Sequence, residues 1–236
     1  MKTYNDPSRP ARGGFKRIEL IVVVAVVAIL GLLAIVAPGR LKENALRSHC
    51  RANLTQIYKA LSLYAADNHN LLPDCRRDNP AFSGPFWAWD MNTNLTEDLL
   101  RRGATREAFY CPANPLMNDN DHWDFWNVHH TPVRIMGYGF LLPGVGIIPQ
   151  WLWCPGLKGN NNGMPPAQAQ LMVDAVISQK GNYAQVVGVL KDRSNHLNGT
   201  SPLGGNIAYD DGHAEWKDFK DMQHRFADGT KVVWDY

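Results

Sequence analysis

The sequence predicts an α+β protein in which a long N-terminal helix, with a transmembrane half and an amphipathic half, packs on a small antiparallel β-sheet with long loops. Three observations support this fold class. Residues Leu20 to Ala37 form an unbroken apolar run, and apolar side chains recur at helical spacing from Leu46 to Tyr64. The rest of the chain combines short strand patterns with most of the 20 Gly and 15 Pro residues, which is typical of sheets joined by loops.

The apolar run contains 18 consecutive residues that are apolar or glycine, and Ile18 and the single charge Glu19 stand before it. A helix needs about 20 mostly apolar residues to span a bilayer, and this run has no polar face. We therefore expect a transmembrane helix over residues 15–38, and the resemblance described below implies that it is also the assembly helix. Removal as an ordinary secretory signal is disfavoured, because Pro38 directly follows the small residue Ala37.

A second helical pattern covers residues 39–72 and predicts an amphipathic continuation into the outer domain. Its apolar positions follow one another in steps of three and four, which places them on one face of a helix. We expect this stripe to pack against the domain core; its members are Leu46, Cys50, Leu54, Ile57, Leu61 and Tyr64. The other face carries Lys42, Glu43, Arg47, Arg51, Gln56 and Lys59.

Residues 73–236 are predicted to form a loop-rich β-sheet domain. One short helix is expected at Leu95 to Arg102, with Thr93 and Asn94 as its N-terminal cap. The predicted strands are Arg134 to Phe140, Gln170 to Ala175, Tyr183 to Leu190, Asn206 to Tyr209 and Ala214 to Asp218. An antiparallel sheet laid on the helical stripe is the architecture that these elements favour.

Charge and cysteine usage exclude some function classes. The formal net charge is only +2, whereas a surface that binds nucleic-acid phosphates is normally strongly basic, so no nucleic acid is expected as a partner. The four cysteines lack CxxC or Cys/His ligand spacing, so a zinc knuckle is not expected. They form disulfides in any of three pairings or remain free buried thiols, and both interpretations stay open for Cys50, Cys75, Cys111 and Cys154.

The junction that precedes the apolar run reads Gly13-Gly14-Phe15-Lys16-Arg17-Ile18-Glu19. It resembles the processing site of type IV prepilins and type II secretion system pseudopilins, although Lys16 and Arg17 stand where the family commonly has small or apolar residues. The resemblance implies that prepilin peptidase removes a leader, residues 1–14, and that Phe15 is then N-methylated. It also implies that Glu19, fifth in the mature chain, pairs with the terminal amine of a neighbouring subunit. Snorkelling of Glu19 to the interface is the alternative.

The stretch from Ser48 to Pro73 extends this resemblance. It is similar to the helix of prepilin-type proteins that read C-x-x-N-L-x-Q-I, then A-L-x-x-Y-A, then D-N and a proline. The resemblance implies a pilin-like fold and the inner membrane as location, with a single span, a cytoplasmic N-terminus and a periplasmic C-terminal domain. The implied partners are the membrane, prepilin peptidase and other pilin-like subunits of a homo- or hetero-filament.

The segment Gly205 to Trp216 reads as strand, Asp-Gly turn and strand, which predicts a hairpin. It also resembles a C-terminal element of this family in which a histidine stands ten residues before the Asp-Gly. That position is Ser201 here, and the nearest histidine, His196, lies five residues earlier. A plain turn is the favoured interpretation, so no cofactor is assigned. A Ca²⁺ site is the alternative, with Asp210, Asp211 and His213 as its candidate ligands.

No H-E-x-x-H, G-x-S-x-G or Walker motif is present, so no catalytic residues and no enzyme activity are predicted. The leading hypothesis is a non-enzymatic structural subunit, a pseudopilin or minor pilin. The alternative is a single-span anchored protein that recognises glycans or partners through its tryptophan-rich loops, although aromatic clusters more often fill a core. The tryptophans concerned are Trp87, Trp89, Trp123, Trp126, Trp151 and Trp153.

Overall fold

The computed structural model describes most of the chain, namely residues 16–76, 87–125, 131–146, 156–157, 163–186, 194–227 and 232–235. Within these ranges, side chains are described except at residues 30–38, 40, 224–227 and 232–235. The chain divides into two compact units, Met1–Lys42 and Glu43–Tyr236. The leader, residues 1–14, and Phe15 lie outside the described residues.

Helix α1 (Arg17–Asp67) contributes to both units. Its first turn contains Glu19, whose carboxylate accepts a hydrogen bond from the backbone N–H of Lys16 at 3.0 Å. A carboxylate in this position is favourable because it faces the positive end of the helix dipole. In the first unit, the described apolar side chains of α1 are exposed to solvent.

The expected transmembrane half requires a correction. Crossing a bilayer takes a helix of about 20 mostly apolar residues, and none of the helices in the described part of the chain is both long and apolar enough. The prediction of a transmembrane helix over residues 15–38 is therefore wrong. The predicted location, a single-pass protein of the inner membrane with a periplasmic C-terminal domain, is wrong for the same reason.

In the second unit, α1 buries the predicted apolar stripe. Leu46 is half-buried, and the other five side chains of the stripe are buried, from Cys50 at one end to Tyr64 at the other. On the opposite face, Arg51 and Lys59 are exposed, as is Lys42 at the end of the first unit. The spacing of three and four residues thus produces the core-facing surface that the sequence predicts.

Two further α-helices and several strands complete the second unit. The helices are α2 (Thr93–Arg101) and α3 (Asn120–Trp123). The strands are β1 (Asp90–Asn92), β2 (Val133–Ile135), β3 (Tyr138–Phe140), β4 (Gln170–Asp174), β5 (Ile177–Gln179), β6 (Leu197–Asn198), β7 (Ser201–Pro202), β8 (Gly204–Tyr209), β9 (Ala214–Asp218), β10 (His224–Ala227) and β11 (Val232–Asp235).

These strands form small antiparallel sheets. The largest has four strands in the order β3-β4-β8-β9, and a three-stranded sheet has the order β10-β11-β5. Strands β1 and β2 pair with each other, as do β6 and β7. Every residue of β8 is buried, so this strand lies in the interior of the domain. The antiparallel α+β character of the domain follows from these pairings.

The Asp-Gly turn closes the β8–β9 hairpin as the sequence predicts. The pairing runs from Gly204 opposite Asp218 to Ala208 opposite Ala214. Gly212 adopts φ +91°, a conformation that glycine accepts without strain. A Cβ at this glycine would also lie only 2.5 Å from the ring of Tyr58, so the turn can sit against α1 only without a side chain there.

Other predicted elements differ from the structure at points with a clear physical cause. Helix α2 begins at Thr93 because the side chain of Asn92, rather than Thr93 or Asn94, caps it. The single strand predicted over 134–140 is split into β2 and β3, since Gly137 N–H bonds to Phe109 O instead of to the sheet. No strand forms at 183–186, where Asn182 Oδ1 accepts two backbone N–H bonds and makes a turn.

The contribution of the helical stripe can be tested by truncation. Leu54→Ala should lower the free energy of unfolding by about 2–5 kcal/mol, because it leaves a cavity in a fully buried position. Leu63→Ala is the matched control on the same helix, since Leu63 is 53% exposed, and it should change stability by no more than about 0.5 kcal/mol. Urea unfolding of both variants gives the comparison, and equal losses would contradict the burial of this stripe.

Candidate functional site

Four buried side chains from separate parts of the chain meet between α1 and the four-stranded sheet. Cys50 lies on α1, and Cys111 follows a 3₁₀-helix (Glu107–Phe109). Asp174 is the last residue of β4, and His196 directly precedes β6. Their ligand atoms all lie within 4.8 Å of one another, and each residue is at most 1% exposed. We call these four residues the Cys-Asp-His cluster.

The cluster is connected by short polar contacts. Cys50 Sγ lies 3.0 Å from Asp174 Oδ2, and His196 Nε2 lies 3.3 Å from the same oxygen. His196 Nε2 is also 3.3 Å from Cys111 Sγ. The hydroxyl of Tyr138 lies 3.3 Å from Cys50 Sγ and borders the cluster on the β3 side. Both sulfurs, the imidazole nitrogen and one carboxylate oxygen therefore face a common point.

Asp174 is held in place by the residues around it. Its Oδ1 accepts a hydrogen bond from Asn195 Nδ2 at 2.5 Å, and its Oδ2 accepts one from the backbone N–H of Asn206 at 3.1 Å. Gly205 permits this approach, since a Cβ there would lie 2.7 Å from Asp174 Cβ. The carboxylate is thus fixed with Oδ2 directed towards the cysteines and His196.

His196 is oriented by its second ring nitrogen and by aromatic packing. Its Nδ1 lies 2.9 Å from Glu43 Oε1, which leaves Nε2 directed at the other three members of the cluster. The ring packs edge-on against Trp216, with centroids 5.0 Å apart. The guanidinium of Arg47 lies over the ring of the same indole, 3.7 Å from its centroid, and also pairs with Glu43 at 2.9 Å. These contacts cover the cluster and set the orientation of the imidazole.

The protonation states follow from burial and from the contacts within the cluster. Burial raises the pKa of Cys50 well above its ordinary value and that of Cys111 to about 11. Burial by itself would lower the pKa of His196, but hydrogen bonds and the charge of Asp174 raise it to about 10. Burial by itself would raise the pKa of Asp174, but the contact with His196 brings it below its ordinary value. At neutral pH, His196 and Asp174 therefore form an ion pair, and both cysteines are thiols.

This chemistry does not suit nucleophilic catalysis. A cysteine nucleophile needs a lowered pKa and access to substrate, whereas Cys50 and Cys111 have raised pKa values and are buried. The same four residue types are metal ligands, because thiolate, imidazole and carboxylate all coordinate zinc. What the arrangement can do chemically is hold a cation or maintain a closed polar network.

Of the predicted processing-site residues, the structure describes only Glu19. Gly14 and Phe15 lie outside the described residues, so their roles stay predictions. Glu19 lies in the first turn of α1 and is exposed, with Lys16 N–H as its hydrogen-bond donor. Its pairing with a neighbouring subunit also stays a prediction.

The predicted cysteine set divides into two groups. Cys50 and Cys111 belong to the Cys-Asp-His cluster, whereas Cys75 is buried elsewhere, with its backbone N–H bonded to Pro143 O. These three cysteines are free thiols in this structure. Cys154 lies outside the described residues.

The predicted calcium residues do not converge on one point. The carboxylate of Asp211 contacts His213 of its own turn, at 2.5 Å from Nδ1 and 3.0 Å from the backbone N. Asp210 is buried, and its backbone carbonyl accepts a hydrogen bond from the Tyr58 hydroxyl. Among the described residues, the Cys-Asp-His cluster is where three or more candidate ligands meet. A cation at this turn therefore stays a prediction.

The described tryptophans of the predicted recognition surface belong to the domain core or pack against it. Trp89 is 5% exposed and stacks on Trp87 with ring centroids 4.8 Å apart. Trp123 packs against Phe109 and lies under the guanidinium of Arg134 at 4.2 Å. Core filling is the role that these contacts support, while Trp126, Trp151 and Trp153 lie outside the described residues.

Sequence reasoning missed the cluster because its members are far apart in the chain. Cys50 and Cys111 appeared as scattered cysteines, and Asp174 gave no signal. His196 appeared as a displaced histidine, but the residues after it form the β6–β7 hairpin and return the chain. Leu203 N–H then bonds to His196 O at 2.9 Å. His196 is thus placed beside the start of β8. The signal available in the sequence was the histidine that stands before the Asp-Gly hairpin.

Comparisons with known proteins add no functional assignment. Searches against protein-family models, curated proteins and solved structures find no match to this chain. A function for this chain must therefore be argued from its own sequence and structure.

The support around Asp174 can be tested through Asn195. Asn195→Ala removes the hydrogen bonds from Nδ2 to Asp174 Oδ1 and to Gly137 O, and it should lower the free energy of unfolding by about 1–3 kcal/mol. Asn198→Ala, at an exposed position in β6, is the matched control and should have little effect. Chemical denaturation gives both values. A loss at Asn195 no larger than at Asn198 would contradict the supporting role.

Proposed function

We propose that this protein is a non-enzymatic structural subunit, a pseudopilin or minor pilin, of a type II secretion or type IV pilus-like filament. The observation that carries the proposal is the exposed apolar surface of α1 in the first unit. Among the described residues from Ile18 to Ile29, nine large apolar side chains are between 49% and 67% exposed, and they are Ile18, Leu20, Ile21, Val22, Val23, Val24, Val26, Val27 and Ile29.

An exposed apolar surface of this kind favours assembly with other proteins. Contiguous apolar patches on a protein surface normally mark an interaction site. These side chains follow one another in the sequence, so they point to all sides of the helix rather than to one face. One flat partner surface cannot cover them, whereas several surrounding helices can. A bundle of like helices from neighbouring subunits is therefore the partner that this surface fits.

The junction beside the apolar surface supports the same proposal. Processing after Gly14 would place a new amine on Phe15, four residues before Glu19 in the sequence. A carboxylate that becomes surrounded by apolar helices is costly unless a positive group pairs with it. The terminal amine of a neighbouring subunit supplies that group. We infer that this pairing sets the register between subunits.

The processing step is tested by mass spectrometry of the N-terminus. When the chain is produced with a prepilin peptidase, the mature protein should begin with N-methylated Phe15, and without the peptidase it should retain Met1. Gly14→Val should block cleavage because the side chain stands at the cut bond, while Gly13→Val is the neighbouring control and should leave it intact. Retention of Met1 both with and without the peptidase would contradict the proposal.

The assembly surface is tested by a polar substitution in α1. Val22→Asn should weaken copurification of tagged and untagged full-length chains by about tenfold or more, since burial of a valine side chain contributes roughly 1.5–3 kcal/mol. Leu116→Asn is the matched control, because Leu116 and Val22 are both 54% exposed and Leu116 lies in the second unit. Equal copurification of the two variants would show that the apolar surface of α1 does not mediate assembly.

A further inference from the structure

The Cys-Asp-His cluster contains the ligand types that zinc prefers. Structural zinc sites are built from cysteine thiolates, histidine nitrogens and, less often, carboxylate oxygens, and they have four ligands. The cluster offers two sulfurs, one nitrogen and one oxygen. Carboxylate-rich sites suit calcium or magnesium instead, so the two cysteines favour a softer cation.

The distances in the cluster are close to those of a tetrahedral site. With bonds of about 2.0–2.3 Å from zinc to nitrogen, oxygen and sulfur, the ligand atoms of a tetrahedron lie about 3.3–3.8 Å apart. His196 Nε2 lies 3.3 Å from both Cys111 Sγ and Asp174 Oδ2. The Cys50 Sγ to Asp174 Oδ2 distance is 3.0 Å, and no pair exceeds 4.8 Å. Small rotations of the four side chains would bring all four ligand atoms to bonding distance of one ion.

The residues around the cluster have the arrangement that a metal site requires. A histidine that binds zinc usually contacts a carboxylate through its other ring nitrogen, which fixes the tautomer. His196 Nδ1 contacts Glu43 Oε1 in this way at 2.9 Å. Asn195 and the backbone N–H of Asn206 hold Asp174, and the Tyr138 hydroxyl lies beside Cys50 Sγ. Each of these contacts orients a ligand or offsets its negative charge.

We infer that Cys50, Cys111, Asp174 and His196 bind one zinc ion as a closed structural site that joins α1 to the sheet. All four positions of the tetrahedron are filled by protein, and burial excludes substrate, so the ion has no open position for catalysis. Binding releases the thiol protons and the proton on His196 Nε2 to solvent, and no electron transfer is involved. Two thiolates and one carboxylate around a divalent cation leave one negative charge on the site.

The test uses the full-length chain, purified under reducing conditions, loaded with Zn²⁺ and dialysed against metal-free buffer. Atomic emission should find about one zinc ion per chain. Cys111→Ser and His196→Asn should lose the bound zinc. Cys75→Ser is the matched control and should keep it, since it removes a buried thiol outside the cluster. Zinc retained by both cluster variants would place the ion elsewhere and overturn the inference.

Two measurements on the unmodified chain cover the case in which the variants fail to fold. Addition of Co²⁺ to the metal-stripped chain should give the thiolate charge-transfer band and the intense visible bands of tetrahedral coordination. A spectrum without them would contradict the site. Peptide mapping of the non-reduced chain should show no bond between Cys50 and Cys111, and a disulfide there would also overturn the inference.

The orienting role of Glu43 can be tested by measuring zinc affinity in a variant that keeps all four ligands. Glu43→Gln leaves all four ligands in place but removes the carboxylate from His196 Nδ1, and it should weaken zinc affinity by about 10–100-fold in a chelator competition. Glu107→Gln, at an exposed position, is the control and should leave the affinity unchanged. An unchanged affinity in Glu43→Gln would contradict the orienting role of the Glu43 carboxylate. Failure of the zinc site leaves the assembly proposal intact, since that proposal rests on the first unit.

Discussion

The buried carboxylate of Asp174 connects the elements that build the second unit. It contacts Cys50 of α1 at 3.0 Å, and it accepts hydrogen bonds from Asn195 before β6 and from the backbone of Asn206 in β8. A buried charge without partners is strongly destabilising, so these elements can take their places only together. The position of α1 on the sheet and the position of His196 therefore depend on the same group.

Helix α1 combines two surfaces with different physical roles. In the second unit, one stripe of α1 is buried and the opposite face is polar, so its folding energy comes from contacts within the chain. In the first unit, the apolar side chains from Ile18 to Ile29 are exposed, so burial of this surface requires other molecules. The change between the two patterns falls near the boundary of the units at Lys42 and Glu43. The buried stripe and the exposed apolar surface are thereby separated along one helix.

Local patterns in the sequence predicted the elements whose structure depends on local physics. The helical stripe and the β8–β9 hairpin follow from side-chain spacing and from an Asp-Gly turn. The expected transmembrane half was wrong, and the split between β2 and β3 was missed because Gly137 bonds to Phe109 across the fold. The Cys-Asp-His cluster was missed because it also depends on contacts between distant parts of the chain. Its members meet only through tertiary contacts, and no short spacing in the sequence reports them.

A zinc ion in a closed site between α1 and the sheet, as we infer, suits a domain with this topology. The ligands at positions 50, 111, 174 and 196 enclose long stretches of chain, and holding such distant positions together restricts the unfolded state most. The three described cysteines are free, so no disulfide among them provides this constraint. The β6–β7 hairpin also fits the inference: it returns the chain so that Leu203 bonds to His196, and β8 begins one residue later. The hairpin thus separates His196 from β8 in the sequence, while His196 keeps its contacts with Asp174 and Cys111.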